Sequence, residues 1–214
     1  PLVSRDTKNH SINLLILITL VLASYANSFD NAFVSDDIAE IFQNPNVGNF
    51  SYIFTHPFGF LRIILNWLAF HIGELQPFFF RLFNYLFHIG SVLLIYAILN
   101  FIHSKRVAFF AATLFAVHPA ISEAVVWISG GTYPQYTFFF LLSFWLYLQS
   151  KDNTKLYWLS VIIFSFTFMS HPVMPLGLFM VFLLFEFCFG NIKKNWVRAI
   201  PYFLLALTYV FVNL

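Results

Sequence analysis

The sequence predicts an all-α, polytopic membrane protein with about seven transmembrane helices. Of its 214 residues, 60% are hydrophobic and 9% are charged, which leaves more apolar surface than a soluble domain of this size can bury. The apolar residues occur in long blocks rather than at the spacing of an amphipathic helix, and such blocks are typical of membrane spans. The single cysteine, Cys188, excludes a disulfide framework within the chain.

Seven apolar segments are candidate spans within a single transmembrane domain over residues 1–214. They cover residues 12–26, 82–102, 107–127, 136–148, 156–169, 173–189 and 197–212. Several are shorter than the roughly 20 residues that a helix needs to cross a hydrocarbon core roughly 30 Å thick, so we expect neighbouring polar residues to extend them. Because the chain starts with Pro1 and stops inside an apolar run at Leu214, we expect a fragment or a processed chain that lacks later helices or repeats.

The basic residues predict the orientation of the chain. With the N-terminus in the cytoplasm, most of the 11 lysines and arginines fall on the cytoplasmic side, and only Arg62 and Arg81 fall outside. The residues on the cytoplasmic side are Arg5, Lys8, Lys105, Arg106, Lys151, Lys155, Lys193, Lys194 and Arg198. The positive-inside rule therefore places the N-terminus in the cytoplasm.

The acidic residues gather on the opposite, external face. They are Asp30, Asp36, Asp37, Glu40, Glu74 and Glu123. Acidic residues contribute little to topology, so this distribution is not a consequence of membrane insertion. It predicts an external site that uses carboxylates.

The one long connection, residues 27–80, is the first external loop. Its segment 50–70 is rich in Phe, Ile, Leu and Trp, and Pro45, Pro57 and Pro77 divide the loop into pieces. We interpret this segment as one or two short helices that lie in the interface plane with their apolar face towards lipid. A re-entrant hairpin is the alternative.

Asp36 and Asp37 are the first candidates for chemistry. Two adjacent carboxylates at a membrane surface can bind a divalent cation, or one can act as a general base whose pKa the other raises. The alternative is a solvated loop with a helix N-cap, since Ser-Asp-Asp is a common helix start.

The segment from His118 to Glu123 is the second candidate. It lies near the external end of the third span, where polar residues are costly and usually face a cavity or a partner. Pro119 frees backbone groups there, which favours a water-lined position; a helix-end pair without function is the alternative. Asn84 and His88, four residues apart on the second span, are interpreted as interhelical hydrogen-bonding groups.

Three external residues are candidates for binding a phosphate. Arg62 and Arg81 carry a permanent charge, whereas His171 is a cation only when protonated. The alternative for the two arginines is snorkelling at the membrane interface, and the alternative for Ser170-His171-Pro172 is a simple turn.

The residues resemble a known family. The Asp36–Asp37 pair followed by Asn44-Pro45 is similar to the start of the first external loop in membrane glycosyltransferases of the GT-C class. Within that class, the sequence most resembles the O-mannosyltransferase-like group whose members carry tetratricopeptide repeats after the membrane domain. Further matching segments follow in order at residues 58–62, 77–88, 114–119, 123–127, 169–172 and 183–186.

The resemblance implies a GT-C-like module of about seven helices that moves a sugar from a polyprenyl-phosphate carrier to an acceptor hydroxyl at the external or lumenal face. It makes one of Asp36 and Asp37 the general base and sets His118 and Glu123 in the same cavity. It places Arg62 and His171 towards the carrier phosphate, with Arg81 as a further phosphate candidate.

The same resemblance sets the expected cofactors and partners. The cofactor is either none or a divalent metal ion held by Asp36, Asp37 or Glu123. The partners are membrane lipid, a polyprenyl-phosphate sugar, a protein or glycan acceptor and other membrane subunits, and nucleic acid is not expected.

The sequence departs from the family pattern at three places. It reads Ser129-Gly130-Gly131-Thr132 where an arginine often follows the glycine, His171 stands where many relatives have lysine, and Ile63 replaces the proline after Arg62. The first two departures are losses of positive charge, and they suit the alternative function, a catalytically inactive GT-C-like subunit that scaffolds a complex or binds lipid. A transporter is disfavoured because the polar groups gather at one face rather than near mid-membrane.

Overall fold

The computed structural model describes residues 2–55, 59–171 and 173–213, and in these ranges it is helical throughout, with no strand. The all-α prediction is confirmed. The α-helices are α1 Leu2–Tyr25, α2 Phe60–Gly73, α3 Pro77–Ile102, α4 Lys105–Val117, α5 Ser122–Val126, α6 Thr132–Gln149, α7 Thr154–Ser170, α8 Phe179–Cys188, α9 Ile192–Asn195 and α10 Ile200–Asn213. Short helical turns connect them at Ala26–Ser28, Ile38–Phe42, Phe50–Thr55, Pro119–Ile121, Ser129–Gly131, Met174–Gly177 and Trp196–Ala199.

The first group of helices consists of α1, α3 and α4. Asn13 at the middle of α1 donates to the hydroxyl of Tyr96 in the second half of α3. The ring of Tyr25 at the end of α1 stacks on Tyr85 in the first half of α3, so the two helices are antiparallel. On α4, the fully buried alanines at positions 108, 112 and 116 share one face. Small side chains at this spacing let helix backbones approach closely, which explains the tight packing of α4 on α1 and α3.

The second group consists of α6, α7, α8 and α10. Ser143 on α6 bonds to Ser160 on α7, and Phe139 stacks on Phe166, so α6 and α7 are antiparallel. The helices α8 and α10 complete the group through the stacked rings of Phe182 and Tyr202, whose centroids are 4.0 Å apart. The core of this group is built from aromatic rings rather than from branched aliphatic side chains.

Contacts between α3 and α6 join the two groups, and the alternating helix directions give the bundle two distinct ends. We call one the Asp37 end; it holds residues 26–55, 74–81, 118–131 and 171–178 in the described ranges. We call the other the basic end; it holds the turns 103–106, 150–155 and 189–198. Seven basic residues lie there: Lys105, Arg106, Lys151, Lys155, Lys193, Lys194 and Arg198. The separation of charge that the sequence predicts is therefore present in the fold.

Fewer helices than predicted have the length and composition of a membrane span. In the described residues three stretches qualify, His10–Ser28, Pro77–Ile102 and Ile192–Val212, and a fourth is the pair Lys105–Val117 and Pro119–Val126 if its 52° bend is accepted. The bend lies at Pro119, whose missing N–H breaks the helical ladder. All seven predicted segments contain helix, but α7 and Met174–Cys188 are shorter than a span.

The long connection between α1 and α3, predicted as the first external loop, contains α2, which lies across the Asp37 end. Arg62 near the start of α2 bonds to Glu40, and Gly73 at its end is so close to the ring of Phe79 that no Cβ would fit. Between them, Ala69 is fully buried in a cluster with Phe80. Both ends of α2 thus touch the same end of the bundle; that α2 lies in the membrane interface stays a prediction, and Pro57 lies outside the described residues.

Replacing Ser160 with alanine is expected to destabilise the bundle by about 0.5–2 kcal/mol. The Ser160 hydroxyl is buried and bonds to the Ser143 carbonyl and to the Tyr202 hydroxyl, so its loss leaves both partners without this bond in an apolar core. Thermal unfolding of the purified chain in detergent measures the change.

The matched control is Ser165→Ala on the same helix, because the exposed Ser165 hydroxyl bonds only to a carbonyl of its own helix. Equal melting temperatures for the two variants would show that the α6–α7–α10 hydrogen bonds do not stabilise the bundle.

Candidate functional site

Asp37 is a fully buried carboxylate that fastens the loop between α1 and α2 to the turn before α6. Its Oδ1 accepts hydrogen bonds from the backbone N–H of Ser129 at 2.8 Å and from the Ser129 hydroxyl at 2.6 Å. Its Oδ2 accepts from the N–H of Val34 at 3.3 Å. Hydrogen bonds to a charged acceptor are stronger than neutral ones, so this residue fixes the position of the loop.

Asp36 differs from its neighbour because its side chain is exposed. The preceding residue, Ser35, has a φ of 52°, which lies in the left-handed region that residues with a Cβ rarely adopt. Strain of this kind is frequent at functional sites. The adjacent carboxylates thus differ in environment, since one is buried and the other is exposed.

Arg81 is almost completely buried near the start of α3. Its guanidinium donates to the carbonyls of Val126 at 2.7 Å and Asn31 at 3.1 Å, with longer bonds to those of Phe29 and Ala32. These contacts use four of its five N–H donors. The side chain therefore ties the start of the loop after α1 and the end of α5 to α3.

Asn84, one turn further along α3, reinforces the same arrangement. Its Nδ2 donates to the carbonyls of Trp127 and Ile128, and its Oδ1 lies where a Cβ on Gly131 would be, 2.1 Å away. His88 contacts the carbonyl of Ala116 on α4 at 3.3 Å. The prediction of hydrogen bonds between helices is confirmed for His88, whereas Asn84 bonds to the turn between α5 and α6.

Arg62 and Glu40 form an ion pair of 2.6 Å at the rim of an open cavity of about 470 Å³. Both side chains are about one-third exposed, so the guanidinium is within reach of a ligand. The walls also carry amide and phenol groups, from Gln43, Asn44, Asn46, Asn66 and Tyr52. Planar polar side chains of this kind can hydrogen-bond an oxygen-rich ligand.

His118 and Glu123 are exposed on the bent segment between α4 and α6. The Nδ1 of His118 accepts from the N–H of Ala120 at 3.2 Å and caps the turn that Pro119 begins. Glu123 lies in the first turn of α5, where a negative charge is favourable. Both side chains face outwards at the Asp37 end.

His171 follows α7 and lies against the rings of Tyr133 and Tyr136. Its Nδ1 accepts from the N–H groups of Val173 and Met174, which requires an unprotonated nitrogen there. Burial lowers the pKa of His171 below its ordinary value, because the charged form loses hydration. His171 is therefore neutral near pH 7 and supplies no cation; Pro172 lies outside the described residues.

All the site residues predicted from the sequence lie at the Asp37 end. They are Asp36, Asp37, Arg62, Arg81, His118, Glu123 and His171. Among the described contacts no hydrogen bond joins two of them, and no group of three or more His, Cys, Asp or Glu in the described ranges is placed to hold a metal ion. The fold gathers these residues at one end and gives each its own partners.

Ser129 is the functional residue that the sequence did not reveal. It supplies both donors to the Asp37 Oδ1 across 92 positions of sequence. The only local signal is the Ser129-Gly130-Gly131 turn, which breaks the apolar run before α6. Nothing in that pattern indicates which distant carboxylate it serves.

Comparison with known proteins finds relatives that are named as mannosyltransferases. The chain is 28% identical over 172 residues to the protein O-mannosyl-transferase TMTC3 of Mus musculus, which covers 71% of this chain and 18% of that protein. It is 30% identical over 162 residues to TMTC3 of Homo sapiens, covering 65% and 17%. It is 28% identical over 210 residues to the protein O-mannosyl-transferase F38B6.6 of Caenorhabditis elegans, covering 88% and 30%.

The chain thus spans less than a third of the length of each of these relatives. Their names confirm the resemblance to the O-mannosyltransferase-like family that the sequence motifs indicated. No protein-family model and no solved structure matches the chain.

Replacing Asp37 with alanine is expected to loosen the loop between α1 and α2. The variant loses all three hydrogen bonds of a buried carboxylate. A hydrogen bond to a charged group contributes about 1.5–3 kcal/mol to stability. Amide hydrogen exchange at residues 34–38 and at Ser129 should accelerate by roughly ten- to a hundredfold.

Asp30→Ala is the matched control because Asp30 is an exposed carboxylate on the same loop. Unchanged exchange in Asp37→Ala would mean that the loop is held by its other contacts alone.

Proposed function

We propose that this chain is the membrane part of a glycosyltransferase that moves a sugar from a polyprenyl-phosphate carrier to a hydroxyl of a protein or glycan acceptor. The relatives' names supply the class of reaction, and mannose is the sugar they indicate. The observation that carries the proposal is the split carboxylate pair, in which buried Asp37 fastens the loop and exposed Asp36 projects from it.

In the proposed reaction Asp36 is the general base. Its carboxylate takes the proton of the acceptor hydroxyl while that oxygen attacks the anomeric carbon of the sugar. The bond between the anomeric carbon and the phosphate oxygen breaks, and the carrier leaves as a polyprenyl phosphate. A positioned base contributes about 10²–10⁴-fold to such a step, and the buried Asp37 holds Asp36 in place from the neighbouring position.

Arg62 is the proposed ligand of the carrier phosphate. Its charge is permanent and partly exposed, and it lies in a polar cavity at the same end as Asp36. A guanidinium matches a phosphate through paired N–H donors. His171 takes a neutral role in this scheme, and Arg81 is assigned to holding the loop, because four of its donors already serve carbonyls.

The membrane arrangement is part of the proposal. We place the basic end in the cytoplasm and the Asp37 end on the external or lumenal side, following the positive-inside rule, with the seven helical segments forming a GT-C-like module. The prenyl chain fits an apolar crevice of about 220 Å³ between α7 and α10, whose walls include Phe168, Met169 and Leu205. This crevice lies in the half of α7 that leads to the Asp37 end.

Asp36→Asn is expected to reduce the rate of sugar transfer by about 10²–10⁴-fold, as for loss of a general base. The full-length protein in lipid is supplied with polyprenyl-phosphate mannose and candidate acceptors, and the transferred sugar is counted. Because Asn keeps the size of Asp, folding and donor binding should be unchanged.

The control is Asp30→Asn, which changes another exposed carboxylate of the same loop and should keep the wild-type rate. If the wild type consumes no donor and keeps its membrane partners whatever stands at position 36, the chain is a scaffold on a glycosyltransferase fold.

Arg62→Gln is expected to raise the KM for the polyprenyl-phosphate donor roughly ten- to a hundredfold, since a charge-assisted contact to the phosphate is lost. The control is Glu40→Gln, which breaks the same ion pair but keeps the arginine. A similar rise in KM for both variants would assign Arg62 to holding the loop and not to the donor.

A further inference from the structure

A second cavity lies at the basic end of the bundle, remote from Asp36 and Asp37. It has a volume of about 780 Å³ and is formed by the turn between α6 and α7 together with the segment from Gly190 to Arg198. The α6 helix starts at the turn that Asp37 grips and ends at this cavity, and its 18 residues span about 27 Å at 1.5 Å per residue. The cavity is thus separate from the candidate active site.

The charge of this cavity is predominantly positive. Lys151, Lys194 and Arg198 line it, and Asp152 is the one acidic residue among the lining side chains of the described ranges. None of the three cations has a carboxylate within ion-pair distance in the part of the chain that the structure describes. Three cations beside a single carboxylate in the lining leave an excess of positive charge, which favours an anion between them.

Arg198 is held in a fixed orientation before any ligand arrives. Its guanidinium lies 4.5 Å from the ring centre of Tyr147 and 5.3 Å from that of Tyr157, and its Nη2 donates to the Ser150 hydroxyl at 2.6 Å. The Tyr157 hydroxyl in turn donates to the Arg198 carbonyl. The other guanidinium nitrogens make no hydrogen bond to a described residue, so they are free to donate into the cavity.

The wall opposite α7 is fixed by a buried carboxylate that is itself satisfied by neutral donors. Glu186 accepts from the Tyr147 hydroxyl at 2.6 Å, from Asn195 Nδ2 at 2.7 Å and from the backbone N–H of Asn191. Asn191 and Asn195 both line the cavity. The negative charge of Glu186 therefore shapes this wall without forming an ion pair with the lysines.

The surroundings indicate where the anion comes from. Trp158 and Trp196 are each 52% exposed, and the apolar side chains of Phe187, Phe189 and Val197 are exposed beside them. Exposed tryptophans next to basic residues are typical of the membrane–water interface. Basic pockets between helices near the membrane surface bind anionic lipid headgroups.

We propose that this cavity binds the phosphate group of an anionic phospholipid. The Arg198 guanidinium contacts the phosphate oxygens, Lys151 and Lys194 neutralise its charge from the rim, and the acyl chains lie along the apolar surface by Phe187 and Phe189. The volume suits a headgroup with its glycerol, since ligand cavities are commonly about 300–1,000 Å³. This site is independent of the proposed sugar transfer.

The test is lipid binding to the full chain purified in detergent, counted by native mass spectrometry. One arm titrates short-chain phosphatidylglycerol, a second titrates phosphatidylcholine of the same chain length, and a third adds inorganic phosphate as a competitor. The variant is the double substitution Lys151→Gln with Lys194→Gln. Both lysines are exposed, so the packing of the bundle is preserved.

Phosphatidylglycerol is expected to bind the wild type more tightly than phosphatidylcholine, and the double variant should lose about fivefold in affinity for each lysine removed. The matched control replaces Lys155 and Lys193, which carry the same charges at the same end but do not line the cavity, and it should keep the wild-type affinity. Arg198→Lys, which keeps the charge but not the fork of donors, should weaken binding as well.

Equal affinity for phosphatidylglycerol in the Lys151/Lys194 variant and in the Lys155/Lys193 control would overturn the proposal. Binding would then depend on the net charge of the basic end and not on the cavity. Equal affinity for the two lipids would overturn it too. Full displacement of phosphatidylglycerol by millimolar inorganic phosphate would rule out the lipid headgroup as the ligand.

Discussion

A buried carboxylate is stable only when hydrogen-bond donors surround it, and Asp37 finds its donors on Ser129, 92 positions later in the chain. The candidate site depends on this contact. It fixes the loop that carries Asp36, and the same turn before α6 is gripped from α3 by Asn84. Arg81 donates to the carbonyls of Asn31 in the loop and of Val126 at the end of α5, and so holds both segments to α3. Three buried polar side chains thus form hydrogen bonds to backbone groups in the loop and in the turns after α5.

Much of the fold could be predicted from the sequence because bilayer insertion demands long apolar blocks. The seven predicted segments are helical, and the break at Pro119 lies where a missing N–H requires it. The segregation of charge was equally visible. The lengths of the helices could not be predicted in the same way. Helix α1 begins at Leu2, among polar residues that a hydropathy pattern does not include in a membrane span.

The candidate site was predicted only as a set of residues at one end. Composition identifies a costly carboxylate or arginine but not its partner. Arg81 was a candidate for binding a phosphate because its charge is permanent. In the fold, its N–H groups instead donate to backbone carbonyls. His171 looked like a conditional cation, whereas two backbone N–H groups hold its Nδ1 unprotonated. Ser129 escaped notice because a serine in a glycine turn carries no signal of long-range pairing.

The contact between Asn84 and Gly131 ties two distant positions together in evolution. Any side chain at 131 would occupy the space of the Asn84 amide, and any larger residue at 84 would push α3 away from the turn that anchors Asp37. A side chain at 131 can therefore be accepted only together with a smaller residue at 84. Among homologous chains, residue 84 should covary with residue 131, and chains with a bulkier residue at 131 should carry a smaller one at 84.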